Sequence, residues 1–192
     1  CSRDSANRFR IRVGSSFANS GGVVHYVYQY SNHPDFRWID MDNNISIIRT
    51  ATIIDFVINA VQPATLADSN YIIGDNIPVL VSGWNHLNND GSVSEQLHHT
   101  FLWTVNQQLC QLNYQELGFS ITQNMICAGW LDVGGRGQCT GDSGSPLIHH
   151  NQNINTYVVL AITSYNHYCG HSRYFGINTR VSNYISWIGN NV

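Results

Sequence analysis

Short apolar segments separated by turn-forming residues dominate this chain and most constrain its fold. Such segments, rich in β-branched and aromatic side chains, occupy residues 23–28, 45–48, 79–81, 100–105, 146–148 and 157–162. These side chains favour strands, whereas the Gly, Asn and Asp residues clustered at 88–91 and 134–137 favour turns. The pattern predicts an all-β protein built from antiparallel barrels. A helix is expected at residues 181–188, and residues 107–114 are a further candidate.

Composition narrows the classes of partner that the chain can have. It has 192 residues, of which 43% are hydrophobic and 11% charged, as in a packed globular protein. The formal net charge is −3 and no basic cluster exists, so we expect no nucleic-acid partner. No apolar run approaches the roughly 18 residues of a membrane-spanning helix, so we expect no membrane partner.

All nine basic residues are arginines. One interpretation is compositional drift. The other is adaptation to alkaline surroundings, because lysine loses its charge near pH ~10.4 whereas arginine stays charged above about 12.

One turn carries the residues for nucleophilic chemistry: the string QCTGDSGSP at residues 138–146. A serine such as Ser143 needs a base to take its proton, and the resulting oxyanion needs preorganised N–H donors. Gly141 permits a backbone conformation that turns its N–H and that of Ser143 toward one point. The side chain of Asp142 points away from its neighbour, so we expect it to anchor the turn through a buried ion pair. A surface turn is the alternative interpretation.

This string resembles the GDSGGP signature of the chymotrypsin/trypsin family of serine proteases. Further segments resemble that family in the same order: VSGW at 81–84, MICAG at 125–129, ITSY at 162–165, GINTRV at 176–181 and YISWI at 184–188. Residues 12–16 and 130–136 are most similar to larval midgut trypsins of moths and butterflies. The resemblance implies two antiparallel six-stranded Greek-key barrels followed by a C-terminal helix.

The resemblance also implies how the chain is divided. Residues 1–65 would be the remainder of a first, incomplete barrel, residues 75–180 the second barrel, and residues 181–192 the C-terminal helix. Cys1 is similar to the cysteine of the family's TAAHC motif, so the catalytic histidine would immediately precede it. We therefore expect a missing N-terminal segment of the same protein to be a partner, with its activated N-terminal ammonium paired to Asp142.

Five cysteines suggest an oxidising compartment. The family pattern implies two disulfides, Cys110–Cys127 and Cys139–Cys169. Cys1 would then be unpaired within this chain.

The family places the acid of its catalytic triad where this chain has Asn44. An amide carries no charge, and its NH2 group can hold the histidine in the wrong tautomer. Asp42 lies some 6–7 Å further along a strand and is a weak substitute. Residues 44–46 also form a glycosylation sequon, although a buried position argues against a glycan. We therefore expect catalysis to be impaired.

The resemblance assigns six residues to the pocket that binds the substrate side chain: Gly137, Gln138, Ser164, Tyr165, Asn166 and Gly176. Trypsins carry an aspartate at the floor, six residues before the serine, where this chain has Gly137. Asn166 stands where glycine is usual and should narrow the entrance. We expect a small, neutral pocket at most, and no cleavage after arginine or lysine.

No cofactor or metal is expected. The adjacent histidines at 98–99 and 149–150 cannot both face one metal from an extended strand, and residues 15–24, where the family's calcium loop would lie, contain no carboxylate.

Two functions remain open. The first is a secreted digestive endopeptidase of the gut lumen that acts on protein or peptide substrates, with protease inhibitors as further candidate partners. The second is a non-catalytic homologue that acts as a binding, decoy or storage protein.

Overall fold

The computed structural model describes residue 1, residues 4–84 and residues 93–192, so the turn expected at 88–91 lies outside the described residues. Ten strands are β1 (Arg10–Val13), β2 (Val23–Asn32), β3 (Ser46–Thr50), β4 (Thr65–Leu66), β5 (Pro78–Gly83), β6 (His98–Val105), β7 (Met125–Gly129), β8 (Pro146–Asn151), β9 (Thr156–Tyr165) and β10 (Gly176–Arg180). The helices are α1 (Gln107–Gln115) and α2 (Ile185–Gly189), with 3-10 turns at Ala6–Arg8 and Val181–Tyr184. The predicted all-β class is confirmed, since strands predominate and the two helices are short.

Six strands close into a barrel. Their order is β10-β7-β6-β5-β8-β9, and a further pairing of β10 with β9 completes the ring. All six pairings are antiparallel. After the β5-β6-β7 meander the chain returns to place β8 beside β5, which is Greek-key connectivity. The expected six-stranded Greek-key barrel is therefore confirmed.

Alternation along the strands fills this barrel. Leu102, Leu147 and Leu160 turn inward and are at most 1% exposed, because successive side chains of a strand point to opposite faces. A second apolar cluster lies between α1 and the strands β7 and β10, and Tyr114 and Phe175 are its largest buried members.

A separate three-stranded sheet has the order β1-β2-β3. Part of its surface is apolar and exposed, with Tyr26 67% and Tyr28 69% accessible. The loop between β2 and β3 packs against the barrel, because Asn43 accepts a hydrogen bond from Tyr184 Oη at 2.9 Å and Asp42 accepts one from Thr122 Oγ1 at 2.7 Å. This loop carries residue 44 to the barrel.

Two disulfides reinforce the barrel. Cys110–Cys127 joins α1 to β7, and Cys139–Cys169 joins the nucleophile turn to the loop after β9. These are the pairs that the resemblance implied. Cys1 is a free thiol, with its Sγ 3.3 Å from the Ile45 carbonyl oxygen.

Both expected helices form. The C-terminal one begins as a 3-10 turn and becomes α-helical only at Ile185. Within the described ranges, no helix is long and apolar enough to cross a bilayer.

Candidate active site

The turn that carries Ser143 lies between β7 and β8. Gly141 and Gly144 have φ values of 93° and 94°, in the left-handed region that glycine adopts without a steric cost. The N–H of Gly144 donates to the Thr163 carbonyl at 2.8 Å, which ties the turn to β9. Ser143 is left exposed at its tip.

Asp142 holds the turn from within. Its Oδ2 accepts the Cys139 N–H at 2.9 Å. Its other oxygen packs against Gly83 at the end of β5, where any added Cβ would overlap it. Because Gly83, the glycine of the VSGW string, has no side chain, the Asp142 carboxylate fits beside it.

Ser164 connects residues 44 and 143. The Ser143 hydroxyl donates to the Ser164 carbonyl oxygen at 3.3 Å. Asn44 Nδ2 donates to the Ser164 hydroxyl at 2.9 Å, and Asn44 Oδ1 accepts from the Cys1 nitrogen at 2.6 Å. Two residues 99 positions apart in the chain thus meet on one residue of β9.

The backbone of Asn44 is fixed as well, because Thr179 Oγ1 donates to its carbonyl oxygen at 2.8 Å. Thr179 is not among the site residues expected from the sequence. Its place in the family-like GINTRV string is the signal that could have drawn attention to it.

Asp42 faces other partners. Its Oδ1 accepts from Thr122 Oγ1 at 2.7 Å and from Asn124 Nδ2 at 3.2 Å, while Arg37 lies 3.5 Å from its Oδ2. This carboxylate anchors the β2–β3 loop to the barrel, which argues against its substituting for an acid at residue 44.

Gln138 packs against other residues that the resemblance assigned to the substrate pocket. Its side chain is buried, and Nε2 donates to the carbonyl oxygens of Ile177 at 3.2 Å and Tyr165 at 3.4 Å. It fills the space above Gly176, where an added Cβ would overlap its carboxamide. Its Oε1 is buried and has no hydrogen-bond partner in the described part of the chain.

The expected pocket floor leaves little room. A Cβ at Gly137 would lie 2.8 Å from the Cα of Gly170, so this backbone excludes an aspartate there. On the walls, Tyr165 stacks on Phe119 with ring centroids 5.2 Å apart. Ser164 is buried and Asn166 half-buried after the end of β9.

Three histidines that are buried or half-buried contact residues other than Ser143 and Asn44. His25 Nδ1 lies 2.7 Å from Thr52 Oγ1, and His33 packs on Tyr184 and Trp187. His149 Nδ1 lies 2.6 Å from Tyr71 Oη, and burial lowers the pKa of His149. Across residues 1, 4–84 and 93–192, no three His, Cys, Asp or Glu side chains converge as metal ligands would.

Comparison with known proteins agrees with this architecture. The trypsin family model matches residues 1–188. The chain is 48% identical over 188 residues to alkaline trypsin C of Manduca sexta, covering 98% of this chain and 71% of that protein. It is 48% identical over 185 residues to trypsin CFT-1 of Choristoneura fumiferana, covering 96% and 70%, and 44% identical over 166 residues to achelase-1 of Lonomia achelous, covering 84% and 75%.

The family model and these identities extend over nearly the whole chain. The chain therefore belongs to the trypsin family of serine proteases.

Proposed function

We propose that this protein is a weakly active serine endopeptidase that attacks protein or peptide substrates through Ser143. One observation carries the proposal: Ser143 and Asn44 both bond to Ser164, through its carbonyl oxygen and its hydroxyl. This shared contact supports the proposal that the Asn44 amide stands where a carboxylate would support the catalytic base.

The position of Cys1 suggests where that base comes from. Its nitrogen lies 2.6 Å from Asn44 Oδ1, so a residue joined to this nitrogen by a peptide bond would lie against Asn44. We infer that a histidine in that place is the base.

The expected weakness follows from the charge of residue 44. A carboxylate accepts the histidine Nδ1–H, fixes the tautomer and stabilises the imidazolium that forms as Ser143 attacks. An amide lacks the negative charge, and replacing the acid by its amide in a serine protease lowers kcat by about 10⁴. The N–H groups of Gly141 and Ser143 would still hold the oxyanion, so some activity should remain.

The pocket supports a preference other than arginine or lysine. Nothing at Gly137 offers a negative charge, and the buried Gln138 carboxamide fills the space above Gly176. Gln138 would have to move before any substrate side chain could enter, and only then could its Oε1, which has no partner among the described residues, accept a hydrogen bond from a small neutral side chain. Loss of that bond would penalise purely apolar ones.

The same filling of the pocket favours a second candidate function. If Gln138 stays in place, substrate side chains cannot enter, and the protein would act through its surface as a binding, decoy or storage protein.

Two disulfides fit secretion into an oxidising compartment under either proposal. A gut lumen is further suggested by the lepidopteran trypsin relatives.

A serine-directed fluorophosphonate separates these functions. The full-length gene product should be produced, activated, and labelled from neutral to alkaline pH. Slow, stoichiometric labelling that is absent from Ser143→Ala supports the enzyme. No labelling of the wild type at any pH rules it out and leaves the binding function. Rapid cleavage after arginine would instead contradict the proposed neutral pocket.

A further inference from the structure

We propose that a cavity beside α1 binds a guanidinium or alkylammonium group, such as the arginine or lysine side chain of a partner polypeptide. The cavity has a volume of about 510 Å³, within the roughly 300–1,000 Å³ typical of ligand sites. Its lining residues are Asp75, Asn76, Trp103, Thr104, Val105, Asn106, Leu109, Gly129, Trp130 and Leu131. None of them belongs to the Ser143 site.

Two indole rings form part of the wall. Trp103 and Trp130 meet edge to face, with ring centroids 4.6 Å apart. Trp130 Nε1 donates to the Phe101 carbonyl at 2.8 Å, which fixes the orientation of its ring. Tryptophan is the aromatic residue that binds cations best, so this wall is a preformed surface for an organic cation.

The chain itself shows that this wall accepts a guanidinium. The Arg136 Cζ lies 4.6 Å from the centroid of the Trp130 ring. Arg136 is not among the cavity-lining residues. A second guanidinium could therefore approach Trp103 from the cavity without displacing Arg136.

A carboxylate completes the site. Asp75 is exposed at the cavity and is the only ionisable side chain among the described residues that line it. Its Oδ2 accepts from Asn106 Nδ2 at 2.7 Å, and Asn106 is itself held by capping α1 through the Leu109 N–H at 3.0 Å. No arginine pairs with Asp75 in the part of the chain that the structure describes.

The combination selects a charge type. A carboxylate that Asn106 holds beside aromatic walls, and that has no salt bridge to a described arginine, attracts a cation and repels an anion. Trp103, Leu109 and Leu131 give the aliphatic stem of an arginine or lysine an apolar surface to lie on. A neutral apolar ligand would gain the apolar contacts but not the attraction of the Asp75 carboxylate.

Fluorine NMR on protein labelled with 5-fluorotryptophan tests the proposal directly. N-acetyl-arginine amide is titrated as the mimic of a polypeptide side chain, butylammonium as a small free amine, and N-acetyl-norleucine amide as the neutral analogue. We expect the cations to shift the Trp103 and Trp130 resonances saturably while Trp187 stays unchanged. A preference for the arginine amide over butylammonium indicates a polypeptide source, and the reverse order would overturn that assignment.

Two charge-neutralising variants provide the comparison. Asp75→Asn keeps an oxygen that can accept from Asn106, and it should weaken cation binding by about fivefold to tenfold. Asp55→Asn removes another exposed carboxylate and should leave the affinity unchanged. Equal binding of the norleucine amide, equal affinity of Asp75→Asn and wild type, or the absence of saturable shifts would each overturn the proposal.

Discussion

At residue 44, a single amide group is expected to limit the reaction rate. Asn44→Asp introduces a carboxylate beside the Ser164 hydroxyl. This hydroxyl accepts a hydrogen bond from Asn44 and can instead donate one to the carboxylate. In the activated protein we expect the labelling rate of Ser143 to rise by several orders of magnitude, up to about 10⁴-fold. Quenching the fluorophosphonate reaction at a series of times measures this labelling rate.

Asn43→Asp is the matched control for this substitution. It adds the same charge one residue away, where the Asn43 side chain contacts Tyr184 and not Ser164. Its labelling rate should stay within about tenfold of wild type. If Asn44→Asp is no faster than Asn43→Asp, residue 44 does not hold the place of the acid.

At residue 176, glycine provides the space that the Gln138 carboxamide fills. Gly176→Ala should lower the free energy of unfolding by about 1–3 kcal/mol, because its Cβ would overlap Gln138. Adding Gln138→Ser should recover most of this loss, since the two changes act on one contact. Urea unfolding of the single and double variants measures the coupling. Gly189→Ala, which meets nothing within 4 Å, should not destabilise, and additive losses at 138 and 176 would contradict the packing described.

At the scale of elements, Asn106 connects a helix to a loop. Its Oδ1 caps α1 by accepting the Leu109 N–H at 3.0 Å, and its Nδ2 holds Asp75 at 2.7 Å. Asn106→Ala should cost about 1–2 kcal/mol of unfolding free energy, whereas Asn106→Ser, which can still cap, should cost less. Denaturant unfolding compares the two. Equal losses would mean that the cap contributes little.

The elements themselves could be predicted because their signals are local. Apolar, β-branched segments marked β2, β6 and β9, and these strands form where expected. The filling of the pocket could not be predicted in this way. It depends on the Gln138 side chain meeting Gly176, which lies 38 positions away in the chain. Likewise, the family pattern placed Asn44 and Ser143 in one site, but only the folded chain shows that Ser164 joins them.

For the whole molecule, the chain contains no lysine, so groups other than lysine must determine how its stability changes at alkaline pH. Arginine keeps its charge above pH ~12, but two buried tyrosines do not tolerate ionisation. Burial raises the pKa of Tyr114, whose hydroxyl donates to the Phe175 carbonyl at 2.6 Å. Burial, followed by the charge of Asp42, raises the pKa of Tyr184. Both stay protonated in the folded protein at a pH where the unfolded chain loses these protons.

The sign of the resulting pH dependence follows from proton counts. Because the folded pKa exceeds the unfolded value of about 10, this stabilisation is complete below pH ~10 and is lost as the pH rises above it, by about 1.4 kcal/mol per pH unit for each tyrosine. Tyr114→Phe should reduce the fall of unfolding free energy with pH by the contribution of one tyrosine, about 1.4 kcal/mol per pH unit. It should also lower the free energy of unfolding at neutral pH by about 1–3 kcal/mol. Tyr28→Phe, at a residue 69% exposed, should leave the slope unchanged. Urea midpoints measured from pH ~8 to ~11 provide the test, and identical slopes for the Tyr114→Phe, Tyr28→Phe and wild-type proteins would show that burial of Tyr114 does not contribute to the alkaline decline.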